Sequence, residues 1–188
     1  SFTSTSNVTD MSYMFSGATS FNQSVNFDTA NVTNMRYMFS GATAFNKSVS
    51  FDTSKVTNMS RMFSGATSFN QPVNFDVSSL ETAAYMFDGA SSFDTKTNDF
   101  FVGGVDIGGL FRGSGMNQDY SELCLPMNDP YYFGVFDGTP MYQDYAKYPD
   151  THYLNLTTTN VEIDRSVSSI VTIDTKYCGS GIDLDTSG

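Results

Sequence analysis

"NVTNMRYMFSGATAFNKSVSFDT", Asn31 to Thr53, is written almost unchanged from Asn7 to Thr29 and again from Lys55 to Val77. Catalysis needs a few unlike residues converging on a point, whereas a repeat spreads like residues along a line. The register holds in several columns at once. Met14, Met38, Met62 and Met86 each precede a phenylalanine (Phe15, Phe39, Phe63, Phe87), and each is followed by a glycine (Gly17, Gly41, Gly65, Gly89). Phe21, Phe45, Phe69 and Phe93 form another column, Val8, Val32, Val56 and Leu80 a third, and Val25, Val49 and Val73 a fourth. A period of this length marks stacked coils that bury their apolar faces against one another.

Two periodicities appear inside one coil. Val32, Met35, Met38 and Phe39 have the spacing of a helical stripe, and Gly41 stands where a short helix would end in a left-handed residue. Ser78 and Glu81 have the spacing of a capping box. Val49 and Phe51 alternate with Ser48 and Ser50, as in a half-buried strand, and Asp52 and Thr53 turn the chain. The expected fold class is thus a repeat solenoid, with a short helix or 3₁₀ turn plus a parallel strand per 24-residue coil.

Residues 7–93 resemble the repeat of BspA-like bacterial surface proteins and Mycoplasma-type lipoproteins, a divergent leucine-rich-repeat branch, in segments such as "VTDMSYMFSGATSFNQSVNFDTANVTNM". The resemblance implies a leucine-rich-repeat-like, right-handed solenoid on extracellular or cell-surface proteins, associated with adhesion. It also implies a repeat of about 25 residues, inside the usual leucine-rich-repeat range, and a tryptophan before the Asp-Thr turn. Here the period is shorter by one, and Phe27, Phe51 and Phe75 stand at that corner.

The charge is −11, from nine basic and twenty acidic residues, which makes nucleic acid and anionic membrane surfaces poor partners. No apolar run reaches the ~18 residues of a membrane span. Residues 1–96 hold five basic and seven acidic groups, residues 97–188 four and thirteen. That asymmetry, with the fading of the repeat, places a boundary near Lys96. Residues 1–96 are read as the solenoid. Residues 97–188 are read as an acidic, aromatic-rich, β-rich module, with strand-like runs at Tyr131–Phe136, Tyr153–Thr158, Val161–Asp164 and Ser168–Thr175, that caps the array and contributes to assembly.

The two cysteines, Cys124 and Cys178, are one disulfide in a secreted protein or two buried thiols in a reducing compartment. The extracellular resemblance favours the disulfide. A bridge closing about 55 residues would contribute roughly 4 kcal/mol in the chain-entropy model. Six Asn-x-Ser/Thr acceptors, Asn7, Asn22, Asn31, Asn46, Asn58 and Asn155, are glycosylation candidates, though most arise because the repeat copies itself.

Asp28, Asp52 and Asp76 form a carboxylate column. Calcium needs six to eight oxygens, and one carboxylate per coil supplies few, so turn capping is the preferred reading and no cofactor is expected. Ser24, Asn26, Ser48, Ser50, Pro72 and Asn74 would face outward as a small polar surface suited to a glycan or protein, or simply to water. His152 is the only histidine and has no Gly-x-Ser-x-Gly partner. No acidic pair has a spacing that points to glycoside hydrolysis. An enzyme is not expected.

Two extracellular, non-enzymatic functions remain: a structural protein associating head-to-tail with copies of itself into a fibre or coat, or an adhesin binding a glycan or protein. Assembly is preferred for the edge expected at strand Gln23–Phe27, which the short stretch "SFTSTSNVTDM" does not cover. A strand from another copy, best Ser168–Thr175 for its β-branched content, would pair there and need not close a ring. A segment preceding Ser1 is the other means of covering it.

Overall fold

Equivalent residues of successive repeats lie one above another through the described residues. The structure, a computed structural model, describes residues 4–97, 99–120 and 130–143. Parallel bridges join Asp10 to Asn34, Asn34 to Asn58, Asn58 to Thr82 and Thr82 to Asp106. Phe15, Phe39, Phe63, Phe87, Phe111 and Phe136 form one ring column with successive centroids 5.2–5.7 Å apart. Phe21, Phe45, Phe69 and Phe93 form a second at 5.8–5.9 Å. The columns pack side by side within each coil, for example Phe63 on Phe69 at 4.1 Å. Val32, Met35, Met38, Phe39, Ala42 and Phe45 are all fully buried, as are Val56, Met59, Met62, Phe63, Ala66 and Phe69 one coil on. At about 1.5–3 kcal/mol per large apolar side chain removed from water, this ladder is the main source of stability.

The backbone differs from the sequence expectation. Among the described residues no strand and no α-helix is assigned; the regular elements are two 3₁₀ turns, Pro130–Tyr132 and Pro140–Gln143. The stripe from Val32 to Phe39 is buried as a helical face would be, yet the chain there is a run of tight turns. Met38 donates to the Met35 carbonyl, Ser40 to Tyr37, Ala42 to Phe39 and Phe45 to Ala42, at 3.0–3.2 Å. Tyr37 (φ 57°) and Gly41 (φ 69°) are left-handed, which interrupts any right-handed helix at both places. The alternate amides instead reach the next coil: Met35, Tyr37, Phe39 and Gly41 donate to Asn58, Ser60, Met62 and Ser64 at 2.9, 3.0, 2.8 and 2.7 Å. The cross-coil pairing therefore lies in the segment expected to be a short helix or 3₁₀ turn. The segment expected to be a strand, 48–51, forms no backbone pair with a neighbouring coil among the described residues.

The glycine column shows why one residue type recurs. Gly41, Gly65 and Gly89 have φ of 69°, and a Cβ built on each would lie 3.7–4.0 Å from the preceding glycine's Cα. That distance is an ordinary contact, so it is the positive φ that favours glycine.

The register continues across the boundary expected near Lys96. Phe87 donates to Leu110, Phe111 to Val135 and Gly113 to Asp137 at 2.9, 2.9 and 2.7 Å, adding a fifth and a sixth coil to the same apolar core. The glycine column keeps its interval from Gly89 to Gly113, and from Gly113 to Gly138 the interval is longer by one. Tyr131–Phe136, expected as a strand, instead enters a 3₁₀ turn and a left-handed Gly134 (φ 63°), because it is the corresponding part of a coil. Cys124, Cys178, His152, Asn155 and the runs at 153–158, 161–164 and 168–175 lie outside the described residues.

Candidate functional site at the edge of the first coil

The same sequence word meets two environments. Met38, Met62 and Met86 are fully buried, but Met14 is 41% exposed and Tyr13 50% exposed. Phe15 and Phe21 are half-buried where their counterparts are fully covered. Ser4, Thr5, Phe15, Phe21, Val25 and Phe27 are among the residues lining a depression of about 540 Å³ at this end.

Backbone polarity follows from the pairing rule. Within the stack, Met11, Tyr13, Phe15 and Gly17 donate to the carbonyls of Asn34, Arg36, Met38 and Ser40 at 2.9, 3.1, 2.8 and 2.7 Å. The corresponding carbonyls one coil earlier, Asp10, Ser12, Met14 and Ser16, accept nothing among the described residues. The amides of Thr9, Ser20 and Asn22 likewise lack the acceptors that Thr33, Ala44 and Asn46 find on Thr9, Thr19 and the Asn22 side chain. Sequence reasoning expected the open edge at Gln23–Phe27. The groups that interior coils pair and the first coil leaves unpaired among the described residues lie between Thr9 and Asn22, because the turn segment carries the inter-coil bonds.

Side chains reinforce this edge. Tyr13 stacks on Tyr37 with centroids 4.7 Å apart, and Arg36 donates to the Tyr13 hydroxyl at 2.9 Å while lying over both rings. The column continues with Arg61 over Tyr85 at 4.5 Å and Arg112 over the same ring at 5.0 Å. Asp88 binds Arg112 through both oxygens at 3.0 and 3.1 Å. Tyr13, Tyr37, Arg61 and Tyr85 are left-handed non-glycine residues with φ of 56–60°. Such backbone is normally unfavourable, and ring stacking and cation–π contact offset it.

The Asp column is used locally. The carboxylates of Asp28, Asp52 and Asp76 accept from the amides of Ala30, Ser54 and Ser78 at 3.2, 3.1 and 2.9 Å. The Ser54 hydroxyl, then its amide, holds the Asp52 carboxyl below its usual range, and Ser78 does the same for Asp76. Asp10 is lowered likewise, by the Ser12 hydroxyl and then its amide. The described residues bring no three metal-ligating side chains together.

Ser24, Asn26, Ser48, Ser50 and Asn74 are exposed, on chain with no assigned strand. Ser48 donates to Gln71 at 3.1 Å. Of the glycosylation candidates, Asn7 is exposed. Asn31 donates to the Ser6 carbonyl and accepts from Lys55, and Asn58 accepts the amide of Ser60 at 2.9 Å. Asn22 and Asn46 belong to a rung that sequence reasoning missed. The side-chain oxygens of Asn22, Asn46, Asn70 and Asp94 accept the amides of Asn46, Asn70, Asp94 and Asn117 at 3.0, 3.0, 3.0 and 2.7 Å. Its signal was a polar column in the repeat register, visible beside the Phe column.

No curated protein and no solved structure matches the chain. A family model described as "Mycoplasma protein of unknown function, DUF285" matches residues 2–119, reaching past Phe93 into the fifth coil. With more than half of its length covered by that match, the chain belongs to the DUF285 family of Mycoplasma proteins.

Proposed function

We propose that this chain is a non-enzymatic extracellular structural protein, a leucine-rich-repeat-like solenoid that associates head-to-tail with copies of itself into a fibre or coat at the cell surface. One observation carries the reading: among the described residues, the edge of the first coil presents four carbonyls without donors beside half-covered Tyr13, Met14, Phe15 and Phe21. Every interior coil binds a neighbour through that same set of groups. Completing four hydrogen bonds and these apolar contacts contributes on the order of 5–10 kcal/mol. Association itself costs about 4–15 kcal/mol, so protein concentration decides the outcome, as suits a subunit that assembles once displayed at high local density.

Sedimentation velocity over a wide concentration range tests this, comparing the chain with a version carrying one further folded coil before Ser1. The chain is expected to form larger species with concentration and the capped version to stay monomeric. A capped protein that still associates, or an uncapped one that remains monomeric at high concentration, overturns the proposal.

A further inference from the structure

One position of the coil suits glycine yet mostly holds other residues. Gly109 and Gly134 stand there in the fifth and sixth coils, with φ of 62° and 63°. Tyr37, Arg61 and Tyr85 hold it in the second to fourth coils, at φ of 57°, 56° and 57°, where a side chain is unfavourable. Strain kept where glycine would relieve it points to a use for the side chains. Two cations on this face have donors to spare. Arg36 makes one side-chain hydrogen bond, to the Tyr13 hydroxyl, and no ion pair among the described residues. The Arg61 guanidinium makes no hydrogen bond to any described residue. Its nearest carboxylate, Asp88, is 3.6 Å away and is held at both oxygens by Arg112.

A second column has the opposite complement. Asp28, Asp52 and Asp76 are exposed, one per coil. Each uses Oδ1 for its own turn, accepting from Ala30, Ser54 and Ser78, and Oδ2 accepts from no described residue. Lys55, close to Asp52 in the chain, donates to Asn31 at 2.8 Å instead. All columns of one solenoid share one interval, about 4.8 Å. A row of carboxylates on one copy therefore stays in step with a row of donors on another over several coils.

We propose, resting on the self-association reading above, that copies also pair side by side, with the Asp28, Asp52 and Asp76 column of one molecule against the Arg36, Arg61 and Tyr85 face of the next. The outward Oδ2 atoms accept from the two guanidinium groups and the Tyr85 hydroxyl, one rung per coil. Because the two surfaces differ, every molecule keeps one of each for a further neighbour, and the contact extends as a sheet. Each exposed ion pair is weak. The rows act together once head-to-tail association sets many copies in line.

The test is electron microscopy of the assembled full chain in about 0.1 M and about 1 M salt, which shorten the screening length to about 10 Å and 3 Å. Wild type is compared with Arg36→Glu/Arg61→Glu, with Asp52→Lys/Asp76→Lys and with an equal mixture of the two, and thermal melting confirms that each stack is intact. Wild type is expected to form laterally joined filaments at the lower salt and single filaments at the higher. Each double variant should lose the lateral contact and keep the filament. The mixture should regain it, because native rows meet native rows and Glu rows meet Lys rows. Lateral contact that persists in either variant or in 1 M salt, a mixture of single filaments only, or a wild type that never joins laterally overturns the pairing and leaves head-to-tail association standing. Should a variant not fold, the salt response of wild type decides alone. A wild type that is monomeric at every concentration overturns both.

Discussion

Met14 and Met62 occupy the same place in almost the same words, "SYMFSGATSFN" and "SRMFSGATSFN", yet Met14 is 41% exposed and Met62 fully buried. The difference lies in the neighbours. An interior coil has its apolar face covered on both sides, the first coil on one, because a single coil cannot bury its own face. In the sixth coil the column residues Phe136 and Met141 are buried, while Tyr131, Phe133 and Tyr142 are exposed. Burial here is a property of position in the array more than of local sequence.

The sharpest way to break that comparison is to place a charge at equivalent positions. Met38→Asp buries an unpaired carboxylate and is expected to abolish cooperative folding, since its cost rivals a total stability of ~5–15 kcal/mol. Met14→Asp leaves its charge partly in water and should retain a cooperative melt. Chemical denaturation of the two variants decides this; equal loss would defeat the stacked-coil account.

A milder version removes one ring. Phe63→Ala is expected to cost about 3–5 kcal/mol, while Phe15→Ala, at a half-covered site, should cost roughly half as much. Denaturant midpoints measured at constant slope provide the comparison. Should association occur under the conditions used, the gap between the two narrows, because a second copy covers Phe15.

Tyr120 offers a sharper test of the fifth coil. Its hydroxyl accepts the Thr97 amide at 3.0 Å and donates to the Thr97 carbonyl at 3.1 Å, and burial pushes the phenol up to about 12. A raised folded value means that its contribution is fully present below the unfolded value near 10 and is lost as pH rises from there through about 12. Tyr120→Phe should lower stability by about 1–3 kcal/mol at neutral pH and flatten the decline that begins near pH 10 in thermal melts. An unchanged alkaline profile would remove Tyr120 from that account.

The smallest effect concerns the turn carboxylates. Asp10, Asp52 and Asp76 titrate below their ordinary value in the folded chain because serine hydroxyls and amides hold the charged form. Their contribution is present above the unfolded carboxylate range and is lost as pH falls through and below it. Asp52→Asn should slightly flatten the acid limb of stability against pH without moving the neutral melting temperature by more than a degree or two. A steeper acid limb in that variant would contradict the assignment.

Much of this molecule could be read from residue types alone. A 24-residue register with Met and Phe columns dictates stacked coils, because identical apolar side chains at a fixed interval gain most by covering one another. Gly41 and its counterparts announced a left-handed turn for the same kind of local reason, the freedom of a residue without Cβ. The path of the backbone was another matter. Val32, Met35, Met38 and Phe39 have helical spacing, but their coil turns left-handed at Tyr37, where no propensity scale expects it, and sends alternate amides to Asn58, Ser60, Met62 and Ser64. Only stacking against neighbouring coils stabilises that conformation, so tertiary structure decided both where the coils pair and which edge stays open. Coils five and six were hidden for a related reason. They retain the ring and glycine columns at Phe111, Phe136, Gly113 and Gly138, the positions held by stacking and positive φ, while most other letters of the repeat have changed.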